Sequence, residues 1–370
     1  MLLPGWRTRR KIVVIESDDW GTVRMPDAQT ITALSKKNPA LISDPYSRYD
    51  SLECNDDLSA LFDVLNCVKD AKQRPGILTA NTIVANPDFD KIAACNYQEY
   101  AYEKFTDTLK RYPHSDKVTN LISEGISGKF YKPQFHGREH LNISQWMKAL
   151  QNGHTELLEA FKYRAFGIAL ADRDSKRKNL MSAFDNDDAR ESEEKKEIIY
   201  DGINIFKEIF GFISQSFIAT TFIWDFNIEL ALHKSGVKYL QGIPYQYIPN
   251  PGGEWYTRKF HYTGQKNKIG QIYLVRNAFF EPSIMPLKDN VGECMKRIEM
   301  AFKWGKPAII GSHRLNFMGS IEELNRTNNL ELFKKLLKAI VSKWPDVEFM
   351  SSDELGNLIN TKHALQIENN

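Results

Sequence analysis

Short runs of β-branched and aliphatic residues recur along this chain, and they alternate with stretches in which apolar residues have helical spacing. The first run, residues 11–17 (KIVVIES), is apolar in its centre and typical of a buried parallel strand. The next strong run, residues 76–84 (GILTANTIV), is followed by the Asn86-Pro87 break. The same pattern predicts further strands at residues 131–136, 216–224, 237–241, 308–312 and 347–350.

The segments between these runs carry helix signals. Residues 97–125 indicate one or two helices, and Asn142 is a candidate N-cap for a helix that ends before Gly153. The charged stretch 185–197 is predicted to be a solvated face that leads into a helix ending at Gly211. The remaining predicted elements are helices at 227–235, 291–304 and 330–344, and a hairpin formed by residues 258–261 and 271–275.

Strands that alternate with helices predict a parallel sheet in an α/β fold. Six or seven such strands follow one another without a linker long enough to divide the chain, so a closed or nearly closed α/β barrel is the expected architecture. We therefore predict one domain over residues 1–360 and a loosely ordered tail over 361–370.

Composition and charge restrict the possible partners and the compartment. A net charge of +2 argues against a dedicated nucleic-acid-binding or membrane-surface protein. The longest uncharged run, residues 209–224, is shorter than the roughly 20 residues that span a bilayer, and the N-terminus resembles no secretory signal. The four cysteines are far apart in the sequence and have no C-x-x-C spacing, which favours reduced thiols and a cytoplasmic protein.

Candidate chemistry lies where the predicted strands end. Asp18 and Asp19 follow the first strand, at the end of a barrel strand where active sites lie, although an Asp pair can also simply cap a turn. His136 and His140 are four residues apart, so both imidazoles can reach one divalent ion at about 2.0–2.1 Å. His313 ends a late buried strand, where an imidazole can serve as general acid or base.

The histidine pair also matches the zinc-protease signature H-x-x-E-H, with Glu139 as the base. That signature requires all five residues on one helix. Gly137 lies inside the motif, a strand pattern precedes it, and the candidate N-cap Asn142 follows it. The protease interpretation is therefore the weaker one.

Taken together, the pair Asp18-Asp19, the pair His136 and His140, and the strand that ends at His313 resemble the polysaccharide deacetylase superfamily, which includes the family 4 carbohydrate esterases. The resemblance spans roughly residues 11–355. It implies a distorted (β/α)7 barrel with an insertion between the first and third barrel strands. It also implies that Asp19, His136 and His140 hold a divalent metal ion, that Asp18 is the catalytic base and that His313 is the catalytic acid.

Departures from the family pattern, among them the two that follow, make the chain a divergent member. The gap between the Asp pair and the His pair is long, so an inserted segment that includes residues 43–57 is expected beside the C-terminal rim. The family arginine that orients the base has no counterpart in residues 217–224, and Arg138 and Arg314 are the candidates to replace it or to bind substrate. Trp20 and Trp224 lie at predicted strand ends, where an indole can stack on a sugar ring, although an indole is more often part of the core.

The function that this combination predicts is metal-dependent removal of an acetyl or similar N- or O-linked acyl group from a carbohydrate, with Zn²⁺ as the expected ion. Two rivals stay open: a glycoside hydrolase on a related barrel, and a carbohydrate-binding relative without activity. Release of acetate would indicate the deacetylase, and release of new reducing ends would indicate the glycoside hydrolase. Bound metal without turnover would indicate the binding relative.

Overall fold

A curled parallel sheet forms the centre of the computed structural model, which describes residues 4–168, 179–250, 252 and 255–368. The strands are β1 (Lys11–Trp20), β2 (Leu78–Ile83), β3 (Ala85–Pro87), β4 (Tyr102–Lys104), β5 (Tyr131–Gly137), β6 (Ser216–Ile218), β7 (Tyr239–Gly242), β8 (Tyr245–Ile248), β9 (Thr257–Phe260), β10 (Ile272–Val275), β11 (Ala278–Phe279), β12 (Ala308–His313) and β13 (Val347–Met350). The main sheet has the order β10-β7-β6-β5-β2-β1-β12-β11, and β13 pairs with the start of β1.

Helices connect most of the parallel strands. They are α1 (Ala28–Lys37), α2 (Pro45–Tyr49), α3 (Asn55–Asn66), α4 (Phe89–Ala94), α5 (Phe105–Leu109), α6 (Val118–Ser127), α7 (Ile143–Gln151), α8 (Thr155–Lys162), α9 (Ala189–Phe210), α10 (Phe226–Lys234), α11 (Asn290–Lys303), α12 (Glu323–Lys343) and α13 (Ser352–Glu368). Single 3₁₀ turns occur at Pro39–Ile42, Thr220–Phe222 and Arg314–Phe317. The tail boundary expected at residue 360 lies inside α13.

The two ends of the main sheet lie next to each other in the chain. Only Arg276 and Asn277 separate β10 from β11. The amide of Arg276 donates to Gly242 O on β7, and the amide of Asn277 donates to Ile309 O on β12. The sheet therefore curls round until one stretch of chain reaches both of its ends, which confirms an α/β fold with a barrel-like parallel sheet.

Side chains alternate between the two faces of the curled sheet along β1. Val13 and Ile15 belong to an apolar layer that the sheet shares with α3, α11 and α12 on its outside. Ile12 and Val14 point the opposite way, into the enclosed space. The same alternation points Glu16 inward, above this apolar layer and below the carboxyl ends of the strands.

Helix α13 closes the end of the enclosed space where the strands begin. Leu355 and Ile359 on this helix are fully buried and belong to the same cluster as Ile12. At the start of the helix, Ser352 Oγ donates to Glu16 Oε1 at 2.7 Å. The Asp and His pairs lie at the opposite end, on β1 and on β5 with the loop that follows it.

Local signals explain several element boundaries that the sequence predicted. Asn142 caps α7 by accepting from the amide of Gln145. Asp188 caps α9 in the same way, and the helix ends at Gly211, whose φ of 77° suits glycine. None of the helices in the described part of the chain is both long enough and apolar enough to cross a membrane.

Two predicted elements were wrong. The run 216–224 is a strand only over Ser216–Ile218, because the chain then turns with positive φ values at Thr221 and Phe222. The predicted hairpin does not form either. The first of its two strands, β9, pairs antiparallel with β8, while the second, β10, enters the main sheet parallel to β7.

Candidate metal centre

A bulge at the end of β1 brings two adjacent carboxylates to one site. The pairing of β1 with β2 shifts register between Ser17 and Trp20. Within this bulge Asp19 has a φ of 76°, a left-handed conformation that costs a non-glycine residue about 1–2 kcal/mol. On a regular strand, adjacent side chains point to opposite faces of the sheet, whereas here the side chains of Asp18 and Asp19 both make their contacts in the same enclosed space. The left-handed conformation of Asp19 therefore allows both carboxylates to face this space.

Asp19 lies between the two histidines. Its Oδ1 is 3.2 Å from His136 Nε2 and 3.1 Å from His140 Nε2. The three side chains are almost completely buried, and one ligand atom from each lies within 4.8 Å of the others. His136 comes from β5, while His140 comes from the loop that follows it, so the motif does not form the single helix of the protease signature.

The hydrogen bonds of the histidines indicate that all three facing atoms are acceptors. His136 Nδ1 lies 2.8 Å from Ile218 O, and since a carbonyl only accepts, Nδ1 carries a proton, which in the neutral tautomer leaves the lone pair on Nε2. His140 Nε2 lies 3.0 Å from Arg24 Nη2, which only donates. Burial and the charge of Arg24 lower the pKa of His140 to about 4, so its ring stays neutral.

Three acceptor atoms that converge in this way fit a divalent cation. Two neutral imidazoles and one carboxylate are a common donor set for Zn²⁺ and related ions, and the bond from His136 to Ile218 O provides the usual orienting contact behind a ligand. Asp19 is ionised, because neighbouring groups, above all the positive charge of Arg24, lower its pKa more than burial raises it. The residues present therefore fit a divalent metal ion and could hold one.

Arg276 holds Asp18 from the opposite side. Its Nη1 and Nη2 donate to the two carboxylate oxygens of Asp18 at 2.7 and 2.6 Å, and its Nε donates to Glu16 Oε2 at 2.7 Å. Burial alone would raise the pKa of Asp18, but the charge and hydrogen bonds of Arg276 outweigh it and lower the pKa to about 2. A Cβ at Gly311 would lie 2.7 Å from Arg276 Cδ, so the glycine leaves room for this arginine.

His313 faces Asp18 across the site. Its Nε2 is 3.8 Å from Asp18 Oδ2, and its Nδ1 is 2.7 Å from Glu281 Oε1. Asn316 Nδ2 donates to the other oxygen of Glu281 at 2.8 Å and fixes that carboxylate. Burial disfavours the imidazolium, but Glu281 and the nearby Asp pair outweigh it and raise the pKa of His313 to about 9. The imidazole is therefore protonated at neutral pH and able to act as an acid.

Residues from the predicted insertion cover this site, as expected. Tyr46 on α2 places its hydroxyl 3.2 Å from His313 Nε2. Asp50 Oδ2 lies 3.1 Å from Arg24 Nε, and Asp50 Oδ1 accepts two hydrogen bonds from Arg314. The segment 43–57 thus lies at the C-terminal rim, and 21% of the His313 side chain is exposed there.

Comparisons with known proteins find similar folds among solved structures but no similar sequence. No protein-family model matches the chain, and no curated protein sequence is significantly similar to it. Similar solved structures include a probable polysaccharide deacetylase from Pseudomonas aeruginosa (TM-score 0.46, 8% identity, 95% of this chain and 90% of that one). Another is a candidate glycoside hydrolase/deacetylase from Parabacteroides distasonis (TM-score 0.49, 10% identity, 95% and 72%).

A third similar structure is a 4-α-glucanotransferase from Thermococcus litoralis (TM-score 0.46, 8% identity). The match covers 94% of this chain but only 40% of the glucanotransferase. At these identities none of the three proteins transfers its activity to this chain.

The two tryptophans predicted to stack on a sugar lie in the core. Trp20 is fully buried, its Nε1 donates to Ser17 Oγ at 3.0 Å, and its ring meets the edge of Tyr131. Trp224 is 3% exposed and donates to Glu229. Neither ring presents a free face to a substrate, so this prediction was wrong, and the core alternative explains both residues.

The two candidate arginines do not contact Asp18. Arg138 binds Glu139 and Asp201 and lies over the ring of Tyr102, away from the Asp pair. Arg314 is fully buried and holds Asp50 and Glu53 of the insertion. Arg314 therefore positions the segment beside the site, and the role of orienting Asp18 falls to a residue that the sequence analysis did not select.

Three residues that contact the candidate site residues were not selected from the sequence. Arg276 follows β10, Glu281 lies two residues beyond β11, and Arg24 lies in the loop after β1. A signal for Arg276 exists, since it directly follows the apolar run IYLV and so stands at the end of a parallel strand. Arg24 and Glu281 lie in irregular segments, where spacing gives no such signal.

Proposed function

We propose that this chain is a metal-dependent hydrolase that removes an acetyl or similar acyl group from a carbohydrate. One observation carries the proposal: three buried acceptors converge beside Asp18, which is ionised, and the Nε2 of the His313 imidazolium lies 3.8 Å from Asp18 Oδ2. A nucleophile-activating base, an acid and a cation site are the parts that acyl-group hydrolysis needs. The resemblance to polysaccharide deacetylases stays a prediction beside this argument.

Each side chain has one task in the proposed reaction. Asp19, His136 and His140 would hold a divalent ion, which would supply Lewis acidity to an acyl carbonyl and to water. Asp18, kept ionised by Arg276, accepts the proton of the attacking water on a carboxylate oxygen. His313 then donates the proton on Nε2 to the leaving amine or alcohol, while Glu281 holds its Nδ1.

Zn²⁺ is the proposed ion, because two imidazoles, one carboxylate and open positions are typical of catalytic zinc. We propose one catalytic unit over residues 1–360, with a carbohydrate as its partner. Counted as one strand, residues 272–279 would give seven strands around the barrel, the number expected from the sequence, with β13 paired beside β1 as an additional strand.

A glycoside hydrolase is the weaker alternative. Cleavage of a glycosidic bond needs a carboxyl group that is protonated near neutral pH, with a second carboxylate across the bond. The pKa of Asp18 is about 2, so this residue cannot hold the required proton. Glu281 is already committed to His313 and Asn316.

The test combines product analysis with metal content. The Zn²⁺-loaded chain is incubated with acetylated chito-oligosaccharides and acetylated xylan, and both acetate and new reducing ends are measured. We expect acetate without reducing ends, whereas reducing ends without acetate would favour the glycosidase. Metal that is bound without either product would favour a carbohydrate-binding protein.

Variants of the Asp pair separate the proposed base from the proposed ligand. Asp18→Asn should retain about one ion per chain while turnover falls about 10²-fold or more, the usual scale for a lost general base. Asp19→Asn should lower metal content itself, as should His136→Ala and His140→Ala. A metal-free Asp18→Asn beside a metal-loaded Asp19→Asn would reverse the two roles.

A further inference from the structure

The guanidinium of Arg24 occupies the face of the centre that a cation would approach. Its Nη2 donates to Asp19 Oδ2 at 2.9 Å and lies 3.0 Å from His140 Nε2. The bond to His140 uses the one lone pair through which a neutral imidazole can bind a metal on that nitrogen. A guanidinium and a divalent ion therefore compete for the same atom of His140.

The backbone on both sides of Arg24 is held in place. The amide of Val23 donates to Asn86 Oδ1 at 2.8 Å, and the amide of Met25 donates to Asp50 O at 3.3 Å. The carbonyl of Arg24 accepts from the amide of Gly167, where a Cβ would lie 2.5 Å from Arg24 Cβ. Release of His140 thus requires a rotation of the Arg24 side chain rather than a movement of the loop.

Asp50 offers the side chain a second position. Arg24 Nε lies 3.1 Å from Asp50 Oδ2, but neither atom has a well-aligned hydrogen bond within the described residues. Two hydrogen bonds from Arg314 fix the other oxygen of Asp50. A guanidinium that turns away from Asp19 can therefore complete its pairing with a carboxylate that is already in place.

Tyr46 holds the side chain in the first position. Its ring lies 4.7 Å from Arg24 Cζ, a cation–π contact, and its hydroxyl reaches His313 Nε2. Such a contact is worth about 0.5–1 kcal/mol at a partly exposed site and more when desolvated. The aromatic ring therefore adds to the stability of the position in which Arg24 blocks His140.

We propose that Arg24 is a built-in competitor for the metal site, which leaves His140 for Asp50 when a divalent ion binds, with Tyr46 opposing that exchange. This inference rests on the proposed metal centre. It explains why a buried cation touches two of the three ligands, a contact that hydrolysis itself does not require. The affinity of the centre is then set by Arg24 and Tyr46 as well as by its ligands.

The experiment measures the Kd of Zn²⁺ for the metal-stripped full chain by competition with a chromogenic chelator. Arg24→Ala should bind Zn²⁺ about tenfold more tightly or better, because the competitor for His140 is gone. This variant also removes a nearby positive charge, which alone would tighten binding. Tyr46→Ala avoids that ambiguity, since it leaves the charge unchanged and should still lower the Kd about threefold.

Tyr46→Phe is the matched control, because it retains the ring over Arg24 and loses only the hydroxyl. Its Kd should equal that of the natural chain. Equal affinities for Tyr46→Ala and the natural chain would overturn the inference, as would an unchanged or higher Kd for Arg24→Ala. His136→Ala tests the centre separately: Zn²⁺ bound equally well by this variant would show that the proposed site itself is wrong.

Discussion

Arg276 determines the protonation state of the proposed base. In Arg276→Gln the charge that lowers the pKa of Asp18 is lost, and burial then raises that pKa above its usual value. A base works only when it is ionised, so the acid limb of the rate–pH profile should move to higher pH. Turnover at neutral pH should fall about 10²-fold or more.

The matched variant is Arg276→Lys, which keeps the charge but loses the forked bond to both oxygens of Asp18. Its acid limb should shift less than that of Arg276→Gln, although turnover still falls through misorientation. An unchanged acid limb in Arg276→Gln would contradict the role. Since breaking a buried ion pair costs about 3–5 kcal/mol, folding of both variants is checked by circular dichroism.

Glu281 raises the pKa of His313 and so extends the pH range over which the imidazole is protonated. The pKa of His313 is raised to about 9, so the proton is present at neutral pH and is lost as the pH rises through that value. Glu281→Gln removes the negative charge and should move the alkaline limb of the rate–pH profile to lower pH. A bound divalent ion repels the imidazolium and so moves the alkaline limb to lower pH in both the natural chain and Glu281→Gln. The alkaline limb of Glu281→Gln should still lie at the lower pH of the two.

His313→Ala completes this test, since it should abolish the alkaline limb and leave the Zn²⁺ content intact. Rate–pH profiles of the natural chain and both variants are compared at saturating metal. The assignment fails if the alkaline limb persists in His313→Ala, or if Glu281→Gln moves it to higher pH.

Residues whose role depends on position along a strand were predictable, while those that act across the fold were not. Asp18, Asp19, His136 and His313 all end apolar runs, and the structure brings them together. Arg276 was missed because the run before it was assigned to a hairpin with residues 258–261. Parallel pairing with β7 places it instead at the edge where active sites lie.

At the scale of elements, the bulge that ends β1 depends on a close approach to β2. A Cβ at Gly21 would lie 2.2 Å from Ile83 O and 3.2 Å from Phe105 Cγ, so Gly21→Ala must push the end of β1 away. We expect a loss of about 2 kcal/mol or more in the free energy of unfolding. Because Asp19 lies two residues earlier, Zn²⁺ affinity should also fall about tenfold or more.

Gly153→Ala is a suitable control, since Gly153 has a similar φ of 75° and no heavy atom of the described residues lies within 4 Å of its Cβ position. The cost of a left-handed alanine, about 1–2 kcal/mol, is common to both variants. Urea denaturation and Zn²⁺ titration are compared for the two. If Gly21→Ala binds Zn²⁺ as tightly as Gly153→Ala, the close approach does not support the centre.

Element boundaries were predictable where a cap or a breaker marks them. Asn142 and Gly211 begin and end helices at the expected places because the backbone there needs a capping oxygen or a left-handed residue. The turn at Thr221 and Phe222 has no such mark, since it lies inside an apolar run that is rich in β-branched residues. The turn is held by hydrogen bonds between its two threonines and residues 182–183, contacts that a local pattern does not contain.

At the scale of the whole molecule, polar and apolar layers divide the interior of the curled sheet. Ile12 and Val14 pack against α13 at one end, and the Asp and His pairs lie at the other. Glu16 lies between them and connects the two, because it binds both Ser352 and Arg276. The alternation of parallel strands and helices predicted this architecture, while the role of α13 depends on packing that strand and helix patterns do not encode.

The layered interior links metal binding to the stability of the whole chain. The proposed ligands come from β1, β5 and the loop after β5, so an ion bound by them would connect distant parts of the sequence. Since the centre exists only in the folded chain, Zn²⁺ at 100 times its Kd should add about 2.7 kcal/mol to the free energy of unfolding.

The measurement is the Tm with and without Zn²⁺. An unfolding entropy of about 2.1 cal/mol/K per residue gives about 0.8 kcal/mol/K for 370 residues, so the Tm should rise by about 3 °C. Asp18→Asn should retain this rise, because Asp18 binds Arg276 and is not a proposed ligand. His136→Ala should lose it, since two ligands hold the ion far less tightly than three. An equal rise in His136→Ala would mean that the stabilising ion binds outside the proposed centre.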